Sequence, residues 1–110
     1  EAEAWDGAAL IIAYAPCIAH GIDMRDVQEI EKKAVQCGYF PLYRYHPANG
    51  LMLDSKAPDG DFQAFLMRQE RFAALRRSDP AKSETLCKMA EEAAQRRWNL
   101  LKMLKNREMP

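Results

Sequence analysis

The residues of this chain that could do chemistry crowd into one stretch, Tyr14-Ala15-Pro16-Cys17-Ile18-Ala19-His20-Gly21. It sets a thiol and an imidazole three residues apart, between Pro16, which stops regular structure, and Gly21. From the residues alone three readings stand side by side. Cys17 can be a small buried apolar residue with His20 hydrogen-bonded at the surface, since free Cys is among the most buried residue types. Cys17 can be a nucleophile, but that needs a base oriented by a third group, and the chain's other histidine, His46, falls in a turn. Or Cys17 can be one thiolate ligand of a metal site or cluster built mostly by other sequence.

The remaining candidates read as packing. Cys37 lies on the apolar stripe of an expected helix and Cys87 lies within another. With Cys17 they make an odd count without paired spacing, which argues against a disulfide framework and for a reducing, cytoplasmic setting. Tyr39, Phe40, Tyr43 and Tyr45 lack the basic groove that base stacking would need, and no Gly-rich phosphate loop is present.

The elements that must position Cys17 begin with residues 8–15, apolar on both faces, which predict a strand covered on both sides in a parallel sheet. Cys17 then sits on the loop leaving the strand's carboxyl end, where ligands bind in open parallel sheets. A helix is expected over 24–37, capped by Asp23, with Val27, Ile30, Ala34 and Cys37 on one face and Gly38 ending it in the left-handed conformation. Glu29 and Lys33 should pair on its solvent side. A second strand is expected over 42–45, completing a βαβ unit, with a short extended piece at 51–53. Asp61 can cap a helix over 62–77, and after Pro80 a last helix over 81–104 should bury Leu86, Ala90, Ala93, Leu100, Leu101 and Leu104, interrupted by Arg97. The fold class is therefore α/β, with residues 1–60 the βαβ part and 61–110 a helical segment of the same domain.

Composition limits the function classes. The 110 residues are 48% hydrophobic and 29% charged, with 16 Lys and Arg against 16 Asp and Glu, an ordinary globular balance with no net charge to favour nucleic acid. The longest apolar run, residues 8–19, is interrupted by Pro16 and falls short of the roughly 20 residues of a membrane span. Charge divides along the chain: residues 1–59 hold five Lys and Arg against nine Asp and Glu, and residues 60–110 hold eleven against seven. This keeps one non-enzymatic reading in play, a small α/β interaction module with a basic C-terminal helix and no catalytic activity. Against it, the chain opens at Glu1 rather than Met, and too few strands are visible to flank the apolar run. Both features suggest a piece of a longer protein.

Several motifs carry a resemblance. Glu1-Ala2-Glu3-Ala4-Trp5-Asp6-Gly7, Leu10-Ile11-Ile12-Ala13-Tyr14-Ala15-Pro16-Cys17-Ile18-Ala19-His20-Gly21-Ile22, Gly38-Tyr39-Phe40-Pro41-Leu42-Tyr43-Arg44-Tyr45-His46-Pro47 and Leu53-Asp54-Ser55-Lys56-Ala57-Pro58 resemble, in order and spacing, the C-terminal part of pyruvate:ferredoxin (flavodoxin) oxidoreductases. The resemblance covers essentially the whole chain; the stretch from His46 to Leu53 looks shorter than the family's linker there. It implies a fragment of the thiamine-diphosphate-binding domain of an oxidoreductase. Such an enzyme cleaves pyruvate or another 2-oxo acid, passes electrons through iron–sulfur clusters to ferredoxin or flavodoxin, and makes acyl-coenzyme A. Thiamine diphosphate and magnesium would be held mainly by upstream sequence, and the parent would be a cytoplasmic homodimer. Cys17 matches the family's ligand to the [4Fe–4S] cluster nearest the thiamine. The other three ligands would lie upstream, and Cys37 and Cys87 match none. The segment alone is expected to be inactive.

Overall fold

Apolar spacing, caps and turn residues account for most elements of the computed structural model, which describes residues 1–107. Cys17 caps a 3₁₀ turn, Ile18–His20, and Asp23 caps a second, Met24–Asp26, which runs into helix α1, Val27–Gln36. The expected helix over 24–37 is thus a 3₁₀ turn followed by an α-helix. Asp23 serves the turn, accepting from the Arg25 amide at 2.9 Å. Gly38 takes φ +80°, the left-handed ending expected there, and the Phe40 amide closes the turn on the Ala34 carbonyl at 3.0 Å. The Glu29–Lys33 pair forms at 2.9 Å.

Strand β1, Tyr43–His46, and strand β2, Gly50–Leu53, form an antiparallel hairpin in the register Tyr43↔Leu53 to His46↔Gly50. Three helices follow: α2, Phe62–Met67, α3, Glu70–Ser78, and α4, Pro80–Lys105. Asp61 caps α2 by accepting from the Ala64 amide at 2.9 Å. Asp79 caps α4, with Pro80 in its first turn. The core joins one face of α1 (Ile30, Ala34, Cys37), α2 (Phe62, Phe65, Leu66) and α4 (Cys87, Ala94). Tyr14, Ile22, Tyr39, Phe40, Met67 and Phe72 pack around it. The fold is mixed α/β.

Three expectations are corrected. Residues 8–15 form no strand, and no parallel βαβ unit exists among the described residues. A strand is defined by its ladder, and β1 and β2 spend their pairing on each other. Leu10, Ile11 and Ile12 stand 83%, 78% and 69% exposed, so the described residues do not supply the two-sided cover their apolarity calls for. The radius of gyration, 16.5 Å, exceeds the roughly 13 Å of a compact chain of this length.

The helix over 62–77 is broken at Gln69, whose backbone is extended (φ −103°, ψ 123°). No Gly or Pro causes this. The break lets the Glu70 amide reach the Gly21 carbonyl at 3.2 Å, a tertiary contact that no local rule anticipates.

Of the face expected for helix α4 only Leu101 is buried: the helix turns inward Ser83, Cys87, Ala94, Trp98 and Leu101, while Leu86, Ala90, Ala93, Leu100 and Leu104 stand exposed with Met89 and Met103. The buried seam runs at spacings of 4, 7, 4 and 3, a helical stripe chosen by the position of α2, α3 and β2 rather than by maximal apolarity. No helix among the described residues is long and apolar enough to cross a membrane.

Candidate functional site around Cys17

The Cys17 turn is fixed from both sides. Upstream, Pro16 is buried, and the Tyr14 ring lies against Tyr39 and Phe40 with centroids 5.8 and 5.5 Å away. Burial pushes the Tyr14 hydroxyl above its ordinary pKa, and this hydroxyl has no hydrogen-bond partner among the described residues. At the turn itself, the His20 amide donates to the Cys17 carbonyl and the Gly21 amide to the Ile18 carbonyl, both at 2.9 Å. Gly21 then takes φ +73°, which Gly adopts without strain.

Cys17 is exposed, and its sulfur accepts from the Ala19 amide at 3.5 Å. This corresponds neither to a buried small apolar residue nor to a thiol paired with a base. No hydrogen bond among the described residues joins Cys17 to His20. The His20 Nδ1 is buried with no partner among the described residues, and the His46 Nδ1 accepts from the Ala48 amide at 3.1 Å in the hairpin turn. Cys37 and Cys87 are buried packing residues, as expected of Cys37 on its apolar stripe and of Cys87 within a helix, and burial pushes the Cys37 thiol up. Among the described residues no group of three or more His, Cys, Asp or Glu side chains is placed to hold a metal ion. A shallow recess of about 120 Å³, lined by Cys37, Gly38, Pro58, Gly60, Phe62 and Glu91 among others, includes none of residues 14–21.

An exposed thiol at the start of a short turn, with a backbone N–H directed at its sulfur, suits a single thiolate donor. Hydrogen bonds to ligand sulfur are one of the means by which a protein tunes iron–sulfur potentials. The donor set therefore fits one ligand position of a cluster. The chain's other two thiols are buried in its core, so further ligands would come from other sequence.

Gln69 and Glu70 also matter to this turn, and the sequence reading missed them. Gln69 is 1% exposed; its Oε1 accepts from Arg71 at 2.9 Å while its Nε2 has no partner among the described residues. One signal existed: Gln69 is the polar member of the stripe Phe62, Phe65, Leu66, Gln69, Phe72.

No family model matches the chain. Among curated proteins, the pyruvate:ferredoxin oxidoreductase of Moorella thermoacetica is 47% identical over 110 residues, covering 94% of this chain and 9% of its own length. The pyruvate-flavodoxin oxidoreductase of Klebsiella pneumoniae is 44% identical over 89% of the chain, again 9% of its length. The mitochondrial pyruvate dehydrogenase [NADP(+)] of Euglena gracilis is 40% identical over 90% of the chain and 6% of its length. The chain spans about a tenth or less of the relatives it matches, while nearly all of it is matched. By sequence, the chain corresponds to a segment of the pyruvate:ferredoxin/flavodoxin oxidoreductases, a family of oxidoreductase enzymes.

Proposed function

We propose that this chain is the C-terminal part of the thiamine-diphosphate-binding domain of such an enzyme, and that its Cys17 is one ligand of a [4Fe–4S] cluster. The single observation that carries the reading is the exposed Cys17 thiol on an anchored turn, accepting a backbone N–H, within a sequence of which 94% is matched by such an oxidoreductase. The parent oxidatively decarboxylates pyruvate or another 2-oxo acid. The substrate loses carbon dioxide, its acyl group passes to coenzyme A, and a pair of electrons leaves for ferredoxin or flavodoxin. A [4Fe–4S] cluster, when bound, supplies one-electron redox chemistry, and upstream sequence holds the thiamine diphosphate and magnesium.

The chain's own residues do the positioning. The aromatic contacts of Tyr14 and the buried Pro16 hold the turn's entry, the Ala19 amide polarises the Cys17 sulfur, and Gly21 turns the chain away. In the parent, residues 8–15 take up the strand pairing that the isolated chain leaves unmade, within a parallel sheet; their exposed apolar side chains support this. Residues 1–60 and 61–110 form one domain there, in a cytoplasmic homodimer, and the segment alone is inactive.

The deciding experiment replaces Cys17 with Ser in the full-length enzyme. Iron and acid-labile sulfide should fall by one cluster's worth, with a changed paramagnetic resonance spectrum and retained thiamine. Cys37→Ser and Cys87→Ser should leave iron unchanged. Full iron and an unchanged spectrum in Cys17→Ser would return that thiol to a structural role.

A further inference from the structure

We propose that the contact between Gly21 and Glu70, at the break between α2 and α3, is the buttress that sets where the Cys17 sulfur stands. This rests on the reading of Cys17 as a cluster ligand. The Gly21 carbonyl accepts from the Glu70 amide at 3.2 Å, a backbone hydrogen bond that joins the Cys17 turn to the helical half of the chain. A Cβ on Gly21 would overlap the Glu70 Cβ and lie 3.0 Å from its Cα, so backbone meets helix with no side chain between them.

The helix side of the contact is itself held. Gln69, buried and extended, interrupts the helix so that Glu70 starts a new one, and Arg71 bonds both the Gln69 Oε1 and the Tyr39 hydroxyl. Tyr39 packs on the Tyr14 ring, which leads into the same turn from its other end. Glu70 pairs with Arg77 on its own helix. The turn is thus clamped at residues 14 and 21 by one helix break. Gly21 and Glu70 are positioning residues acting through Cys17: Gly21 follows it by four residues, and Glu70 reaches it through Gly21.

Two variants of the full-length enzyme test this. Gly21→Ala inserts the Cβ that the contact excludes. Glu70→Pro removes the N–H while keeping the helix start, because Pro suits the first helical position and Gln69 already has the extended backbone that a residue before Pro prefers. Each variant is expected to shift the midpoint potential and resonance spectrum of the cluster nearest the thiamine, with thiamine content unchanged. Pairing Gly21→Ala with Glu70→Gly should return the potential only part of the way toward the parent value, because the overlapping Cβ is gone while the left-handed φ at position 21 and the backbone contacts of 3.0 and 3.1 Å remain. Should Gly21→Ala give no soluble enzyme, Glu70→Pro decides. Unshifted potential and spectrum in every soluble variant would overturn the buttress while leaving Cys17 a ligand. If Cys17→Ser keeps all its iron, the ligand reading fails separately. The buttress is then judged by the rate of Cys17 alkylation, expected to rise several-fold in both variants and overturned by an unchanged rate.

Discussion

Arg97, about two-thirds of the way along α4 on its exposed side, donates its Nη2 to the Tyr39 carbonyl at 3.0 Å, across 58 positions of sequence. Tyr39 lies just past the end of α1, and its hydroxyl accepts from Arg71 at 3.2 Å. Two arginines from two helices therefore hold one tyrosine by its backbone and by its ring. The residue that breaks the apolar stripe of α4 is a strut to the turn after α1.

Arg97→Ala should cost about 1 kcal/mol, below the roughly 1.5–3 kcal/mol of a hydrogen bond involving a charged group because the side chain is exposed. Urea denaturation of the chain measures it. A change in the midpoint too small to resolve would show that water replaces the bond without loss.

Helix α4 allows a paired test of its orientation. Leu101 is 6% exposed and its neighbour Leu100 is 52% exposed. Leu101→Asp should cost roughly 2–4 kcal/mol by burying an unpaired charge, whereas Leu100→Asp should stay within about 0.5 kcal/mol. Equal effects in thermal or urea melts would mean that the helix is rotated from the orientation described here.

The exposed run Leu10, Ile11, Ile12 should make the isolated chain associate, since contiguous apolar surface at an unpaired extended segment is an association liability. Size-exclusion chromatography should show concentration-dependent oligomers, reduced by Ile11→Lys. In the full-length enzyme the amides of residues 10–14 should exchange slowly with deuterium. A monodisperse isolated chain melting cooperatively above about 60 °C, past most mesophile domains, would count against both expectations.

Thiol reactivity should separate the three cysteines. In the folded chain Cys17 should alkylate on the order of tenfold or more faster than Cys37 and Cys87, which are buried and must await local opening. Mass spectrometry of a timed iodoacetamide reaction measures this. Comparable labelling of all three would show that the core is not formed.

The N-terminal segment should loosen in acid. Hydrogen bonds to Arg44, at 2.6 and 2.9 Å, and its charge hold the Glu1 and Asp54 carboxyls below their ordinary values of 4.5 and 3.8. A carboxyl depressed in the folded state contributes stability above its unfolded value and loses it as pH falls through the folded one. Both groups are exposed, so the effect is small and screened by salt. Trp5, edge-on to His46 at 5.0 Å, should report it as a fluorescence change below about pH 4 that is absent in Trp5→Phe.

Local chemistry was enough to place much of this structure. The left-handed Gly38, the Asp61 cap, the Glu29–Lys33 pair, the core face of α1 and the break before Pro80 all depend on residues within one or two turns of each other, and all are present. The Cys17 turn was legible for the same reason, since Pro16 and Gly21 bracket it. Apolarity told how much surface residues 8–15 and α4 need to bury, but not against what. The pairing of β1 with β2, the face that α4 turns inward, and the break at Gln69 that carries Glu70 to Gly21 depend on partners tens of residues away. A ladder, a helix face and a tertiary hydrogen bond each require two surfaces, and one stretch of sequence describes only one of them.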